Sequence, residues 1–158
     1  MAAPAHSAKQ VPTGVEVWDG VGTQLAFAAR PKTNFWEVTL KPLSLEGGEP
    51  INNTTLLNTV WRTKRAPVLK ECPPMSGTAK YDPDVWPDLI ALINKEGSVT
   101  QYWPDNSYAD VFAYLRNFVY QDHKEKELPI ANIEIVITNW DPVGHVESGP
   151  VYTPASGT

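Results

Sequence analysis

The chain has 158 residues, a formal net charge of −5 and 42% apolar residues, which is enough for one domain with a real core and too apolar for a disordered tail. No apolar run approaches the roughly 20 residues that a membrane-spanning helix needs. The acidic balance opposes tight binding of nucleic acid, which takes a dense basic surface.

Residues 1–14 are rich in Ala, Pro, Ser and Gly and carry neither the charged nor the apolar region of a signal peptide. They read as an arm, frayed or ordered only against a neighbouring copy. The next clear pattern is Phe35–Leu45, where Trp36, Val38 and Leu40 alternate with Glu37, Thr39 and Lys41, as in a half-buried strand. Gly47-Gly48 then suggests a tight turn, with Pro50–Asn58 returning as the second strand of a hairpin spanning about 35–58. That return is rich in Asn52, Asn53, Thr54, Thr55 and Asn58, so it predicts an exposed edge or a polar-faced barrel wall. The overlapping glycosylation sequons within it read as strand composition rather than acceptor sites.

Val60–Lys70 holds Arg62, Lys64, Arg65 and Lys70, a cluster better suited to a solvated loop or an inter-subunit patch than to nucleic acid. Cys72, the sole cysteine, precedes Pro73-Pro74. It excludes an intrachain disulfide and fits a reducing compartment, and the prolines require a strand to restart near Met75. Gly77–Tyr81 reads as that strand, ending at Asp82-Pro83.

A helix over about 84–96 comes next, with Asp84 as N-cap, Pro87 in the first turn and Lys95 and Gly97 at its end. Val85, Leu89, Leu92 and Ile93 make its apolar stripe. Ser98–Trp103 and Tyr108–Tyr120 read as strands joined by the turn Pro104-Asp105-Asn106-Ser107. In the longer strand Tyr108, Phe112, Tyr114, Phe118 and Tyr120 share one face, and Ala109, Val111, Ala113, Leu115 and Val119 the other, so it is expected at the centre of a sheet. After a charged loop, Ala131–Trp140 carries Ile133, Ile135 and Ile137 on one face. Residues 141–158 read as a second arm, in which Val151 and Tyr152 offer something to bury. The domain proper therefore spans 15–140.

No phosphate-binding glycine loop, nucleophile elbow or paired Cys/His ligand spacing is present. His6 and His145 lie in the arms and His123 in the charged loop, all expected at the solvated surface. This favours a non-enzymatic protein without cofactor or metal. The six tryptophans are better explained by burial in a core or subunit interface than by a sugar platform.

The order of these pieces, above all the Thr-rich return Ile51-Asn52-Asn53-Thr54-Thr55-Leu56 and the Tyr81-Asp82-Pro83-helix junction, resembles the major tail tube proteins of siphophages over roughly residues 35–140. The Cys72-Pro73-Pro74 segment departs from that pattern. The resemblance implies two antiparallel sheets in a β-sandwich or barrel with one flanking helix. It implies six copies in a ring, rings stacked into a virion tail tube through which DNA passes unbound, and partners in tape-measure, tail-tip and tail-terminator proteins. Synthesis would be in the host bacterial cytoplasm. On this reading Glu46, Gly47, Gly48, Glu49, Arg62, Lys64, Arg65, Val151 and Tyr152 are expected at subunit or ring interfaces. Glu37, Thr39, Lys41, Asn53 and Thr55 are expected to face the lumen. A tail terminator or neck protein of similar fold, and a monomeric carbohydrate-binding sandwich, stand as alternatives.

Overall fold

The computed structural model describes residues 3–7, 23–30, 37–80 and 83–156. Trp18, Phe35, Trp36 and the Tyr81-Asp82 part of the strand-to-helix junction lie outside them. In chain order the strands are β1 (Gln24–Phe27), β2 (Glu37–Lys41), β3 (Glu46–Gly47), β4 (Ile51–Asn52), β5 (Lys64–Arg65), β6 (Lys70–Glu71) and β7 (Met75–Lys80). The helix α1 (Trp86–Leu92) is next, then β8 (Gly97–Tyr102), β9 (Tyr108–Tyr120), β10 (Ile130–Ile137), β11 (Trp140–Asp141), β12 (Val146–Glu147) and β13 (Val151–Thr153). The main sheet is curled and antiparallel, ordered β1-β8-β9-β10-β7-β2, with β13 added alongside the first residues of β9. This is the expected β-sandwich or barrel class, although one curled sheet supplies the walls.

The core lies between the concave side of this sheet and α1. Leu25, Phe27, Met75, Val99, Val111, Leu115, Ile133 and Ile135 meet Val85, Leu89 and Leu92 of the helical segment there. Leu115 has no exposed surface. It is an aliphatic core: every tryptophan among the described residues lies outside it, and Trp61, Trp86 and Trp140 are exposed. Core burial therefore does not explain them.

The long strand β9 has the expected bounds and the expected central place, between β8 and β10. Its faces differ from the expectation. Glu134 pairs with Asn117 but Ile135 pairs with Leu115, leaving Arg116 as an extra residue. Such a β-bulge reverses the in–out alternation of the residues beyond it. Ala113 and Leu115 face the core before the bulge, and Phe118 packs against it afterwards.

The helix is shorter than its sequence suggests. A 3₁₀ turn, Pro83–Val85, absorbs Asp84, and Val85 stands at the N-cap without a side-chain cap. At the other end Ile93 leaves helical geometry and bridges Leu115, while the Asn94 N–H donates to the Leu115 carbonyl at 3.0 Å. The sheet captures the chain at that point. Asn94 takes the left-handed conformation expected of a terminating glycine (φ 59°), and Gly97 opens β8 instead.

Candidate functional site

The largest departure from the sequence reading is also the most prominent surface of the molecule. Gly47-Gly48 is not a hairpin turn. Instead β3 pairs with β6 (Glu46 with Glu71, Gly47 with Lys70), and β4 pairs with β5 (Ile51 with Arg65, Asn52 with Lys64). The β2–β7 pairing has the same register as β3–β6, since Lys41 faces Ser76 and Leu40 faces Gly77. Residues 42–74 are therefore one long hairpin arm, whose base at β3–β6 keeps the register of two neighbouring strands of the main sheet and whose outer pair, β4–β5, is shifted by one residue. Pro42 on the outgoing side and Pro73-Pro74 on the returning side lack the N–H groups a ladder needs, which accounts for the gaps between β2 and β3 and between β6 and β7. At its base Cys72 is buried in the core, and the Leu43 N–H donates to Gln101 Oε1 at 3.1 Å.

The Asn and Thr residues build the tip of this arm rather than a barrel wall. Thr54 Oγ1 donates to the Thr63 carbonyl and accepts from the Thr63 N–H, at 3.2 and 3.0 Å. Asn58 Oδ1 accepts from the Thr55 N–H at 2.8 Å, and Asn58 Nδ2 donates to the Trp61 carbonyl at 3.1 Å. Short polar side chains thus replace ladder bonds with local side chain–backbone bonds. This framework holds Leu56, Leu57, Val60 and Trp61 in water, with Trp61 80% exposed. Between Leu45 and Glu71 only Thr54 and Pro67 are even partly buried. A fixed arm presenting this much apolar surface is the mark of an interaction site.

The arm gathers most of the predicted interface residues. Glu46, Gly47, Gly48 and Glu49 lie on its outgoing side, and Arg62, Lys64 and Arg65 on its return. Val151 and Tyr152 stand apart on β13, paired with Asp110 and Ala109 of β9. Tyr152 meets Trp103 edge-on at 5.8 Å and stays 60% exposed. The predicted lumen residues divide. Glu37, Thr39 and Lys41 belong to β2, at an edge of the main sheet, whereas Asn53 and Thr55 belong to the tip of the arm. Leu56, Leu57, Val60 and Trp61, absent from the predicted interface, were legible as apolar residues, but the false turn at Gly47-Gly48 hid their common position.

The outer side of the sheet at β2, β7, β10 and the end of β9 is a second, polar surface. Thr39 and Thr78 share a hydroxyl hydrogen bond of 2.8 Å, and Gln121 Nε2 donates to Asn132 Oδ1 at 2.8 Å. Glu134 accepts from Asn117 Nδ2 at 2.9 Å and faces Arg116 at 3.5 Å. Lys41 and Lys80 are exposed nearby.

No reactive constellation accompanies these surfaces: among the described residues no group of His, Cys, Asp and Glu is placed to hold a metal ion. His123 lies edge-on to Tyr120, and His145 lies beside Trp140 in the turn between β11 and β12. His6 is exposed, as expected, but has aromatic and acidic neighbours. It stacks on Tyr108 with ring centroids 4.1 Å apart and approaches Asp110.

No family model and no curated protein matches the chain. Solved structures do. A chain of the virion of a native gene transfer agent particle superposes with a TM-score of 0.57 at 12% identity, covering 77% of this chain and 99% of that one. A chain from the tail of an empty gene transfer agent particle, determined by helical refinement with C6 symmetry, gives 0.56 at 11% identity, covering 75% and 92%. A chain of the six-fold symmetrised anti-feeding prophage baseplate gives 0.53 at 10% identity, covering 73% and 87%. At these identities the likeness is one of fold, and the fold is one found in virion, tail and baseplate particles.

Proposed function

We propose that the chain is a structural, non-catalytic subunit of a phage-tail-type particle, forming six-membered rings that stack into a tube through which DNA passes. The observation that carries this reading is the pre-formed hairpin arm, with its apolar tip in water, on a fold similar to chains of six-fold tail particles. Burying the four tip side chains against a neighbouring copy is worth roughly 6–12 kcal/mol before the costs of association. Arg62, Lys64 and Arg65 beside them bring positive charge to an otherwise acidic chain, which favours a partner surface of the same protein. Among the described residues β2 ends the sheet, and such an edge is a liability in a monomer that closure into a ring removes.

In this arrangement the polar surface of β2, β7 and β10 lines the channel and the arm reaches an adjacent subunit. Thr39 and Lys41 then face the lumen, while Asn53 and Thr55 serve the arm. The tape-measure, tail-tip and terminator proteins are the expected further partners, and the virion tail is the expected location. The likeness to a baseplate chain favours a second reading, a single ring that ends a tube rather than a repeating one.

Light scattering coupled to size exclusion tests the proposal. Wild-type protein is expected to elute with a mass of six chains or more, and the Arg62→Glu/Arg65→Glu variant to shift towards monomer. A variant assembling like wild type removes the arm from the interface, and a wild type that never exceeds a monomer, alone or with its tail partners, removes the ring.

A further inference from the structure

The helix α1 is apolar on both sides. Its inner side, Leu89 and Leu92, closes the core together with Val85. Its outer side is Trp86, Pro87 and Ile90, followed by Ile93 where the helix ends, and all four are exposed. Ile90 is 72% exposed and Trp86 44%. Asp88 is the one polar side chain between Trp86 and Leu92. It is partly buried and lies 3.6 Å from Arg30. A surface helix ordinarily turns its charged residues outwards, and one that is apolar all round is covered by something. Tyr120 leans on Trp86 with ring centroids 5.6 Å apart, so the patch is formed before anything covers it.

The cover must be apolar where it meets Trp86 and Ile90, and positive at its margins. Asp84, Asp88 and Glu96 border the patch along the chain against one cation of the same segment, Lys95, and Arg30 offsets part of the charge at Asp88. The tip of the hairpin arm has the matching composition. Leu56, Leu57, Val60 and Trp61 stand in water, and residues 56–65 carry Arg62, Lys64 and Arg65 with no carboxylate. Both surfaces stay exposed in the single chain, so the tip does not lie on its own helix. Two tryptophans and five aliphatic side chains offer on the order of 1,000 Å² of burial over both copies, the size that a specific interface needs.

We infer that the outer side of α1 is the seat for the arm of a second copy, with Leu57 and Trp61 laid against Trp86 and Ile90 and the cations of the arm beside Asp84 and Glu96. Charge at the margin steers the approach and sets the register, and the apolar centre holds the contact. This rests on the ring reading, because it states where on the neighbour the arm of that reading lands.

Disulfide trapping tests it. Leu57→Cys is made in one preparation of the full-length protein and Ile90→Cys in a second, tagged one. Both positions are exposed, and the native Cys72 is buried. Mixed and oxidised with diamide, the two are expected to give a covalent pair with one chain of each kind. That pair should form in clear excess over the one from Leu57→Cys and Val143→Cys, an exposed apolar position outside the helix. Independently, Ile90→Asp should keep its circular dichroism spectrum and weaken self-association at least about tenfold by analytical ultracentrifugation, the effect of losing one buried isoleucine. If the wild type self-associates but Ile90→Cys traps the arm no better than Val143→Cys, the arm lands elsewhere, and the inference falls while the ring stands. A folded Ile90→Asp that associates like wild type has the same meaning. A wild type that stays monomeric with its tail partners present overturns the ring reading and this inference with it.

Discussion

Gly77 is the position where a single added carbon is most costly. It faces Leu40 across the β2–β7 pair, beside a bulge at which Glu37 pairs with Ala79 and Thr39 with Thr78. A Cβ at Gly77 would lie 2.2 Å from the Thr39 carbonyl oxygen and 3.1 Å from Leu40 Cα. Both are backbone atoms, so no rotamer change relieves the clash, and β2 must move away by about 1 Å. Overpacking of this kind costs about 1–3 kcal/mol. One or two weakened ladder bonds add about 1 kcal/mol each, and the reduced freedom of the unfolded chain returns about 0.4–1 kcal/mol. The net expectation for Gly77→Ala is a loss of about 2–4 kcal/mol, which for a domain of this size lowers Tm by about 6–12 °C. Gly97 supplies the control, because a Cβ there meets nothing within 4 Å. Thermal unfolding followed by circular dichroism should leave Gly97→Ala within about 2 °C of wild type. Equal Tm values for Gly77→Ala and wild type, or an equal drop in both variants, would refute the packing argument.

Leu115, fully enclosed and bridged to Ile93 where the helix ends, should lose about 2–5 kcal/mol of stability on substitution by Ala, read as a lower urea midpoint. The double variant Leu56→Ser/Leu57→Ser removes two exposed side chains, so its unfolding free energy should stay within about 0.5 kcal/mol of wild type. The same change removes roughly 3–6 kcal/mol from any contact the tip makes, and self-association should weaken at least about a hundredfold by analytical ultracentrifugation. Gly47→Ala should leave the melting temperature unchanged, since a side chain there enters open space. A tight turn at that position would not tolerate it.

Much of the domain is legible in the sequence because its strands obey simple periodicity. Tyr108–Tyr120 and the Ile133, Ile135, Ile137 row announce two adjacent strands, and Pro73-Pro74 announces that β7 starts at Met75. The features that sequence alone misses depend on distant partners. The bulge at Arg116 is hidden because the residues on both sides of it are apolar enough to suit either face. The helix ends early because the Leu115 carbonyl captures the Asn94 N–H, a contact with no local signature. Asn52 to Asn58 look like a polar strand, since the side chain–backbone bonds that fold them into a tip use the same residue types. Pairing at the base of the arm keeps the register of Thr39 with Thr78, with no turn at Gly47-Gly48. The contacts of Ala5 and Ser7 with Ser98, Thr100 and Tyr102 leave no trace in the sequence, because Pro4-Ala5-His6-Ser7 has no apolar pattern and its partners lie on β8, far along the chain.

Closure of this fold into rings, as proposed, can be seen by negative-stain electron microscopy of the purified full-length protein. Hollow tubes or discrete six-fold rings with an open centre are expected, lost in Leu56→Ser/Leu57→Ser while the fold persists. A wild-type protein that stays monomeric with its tail-tip and tape-measure partners present would contradict it.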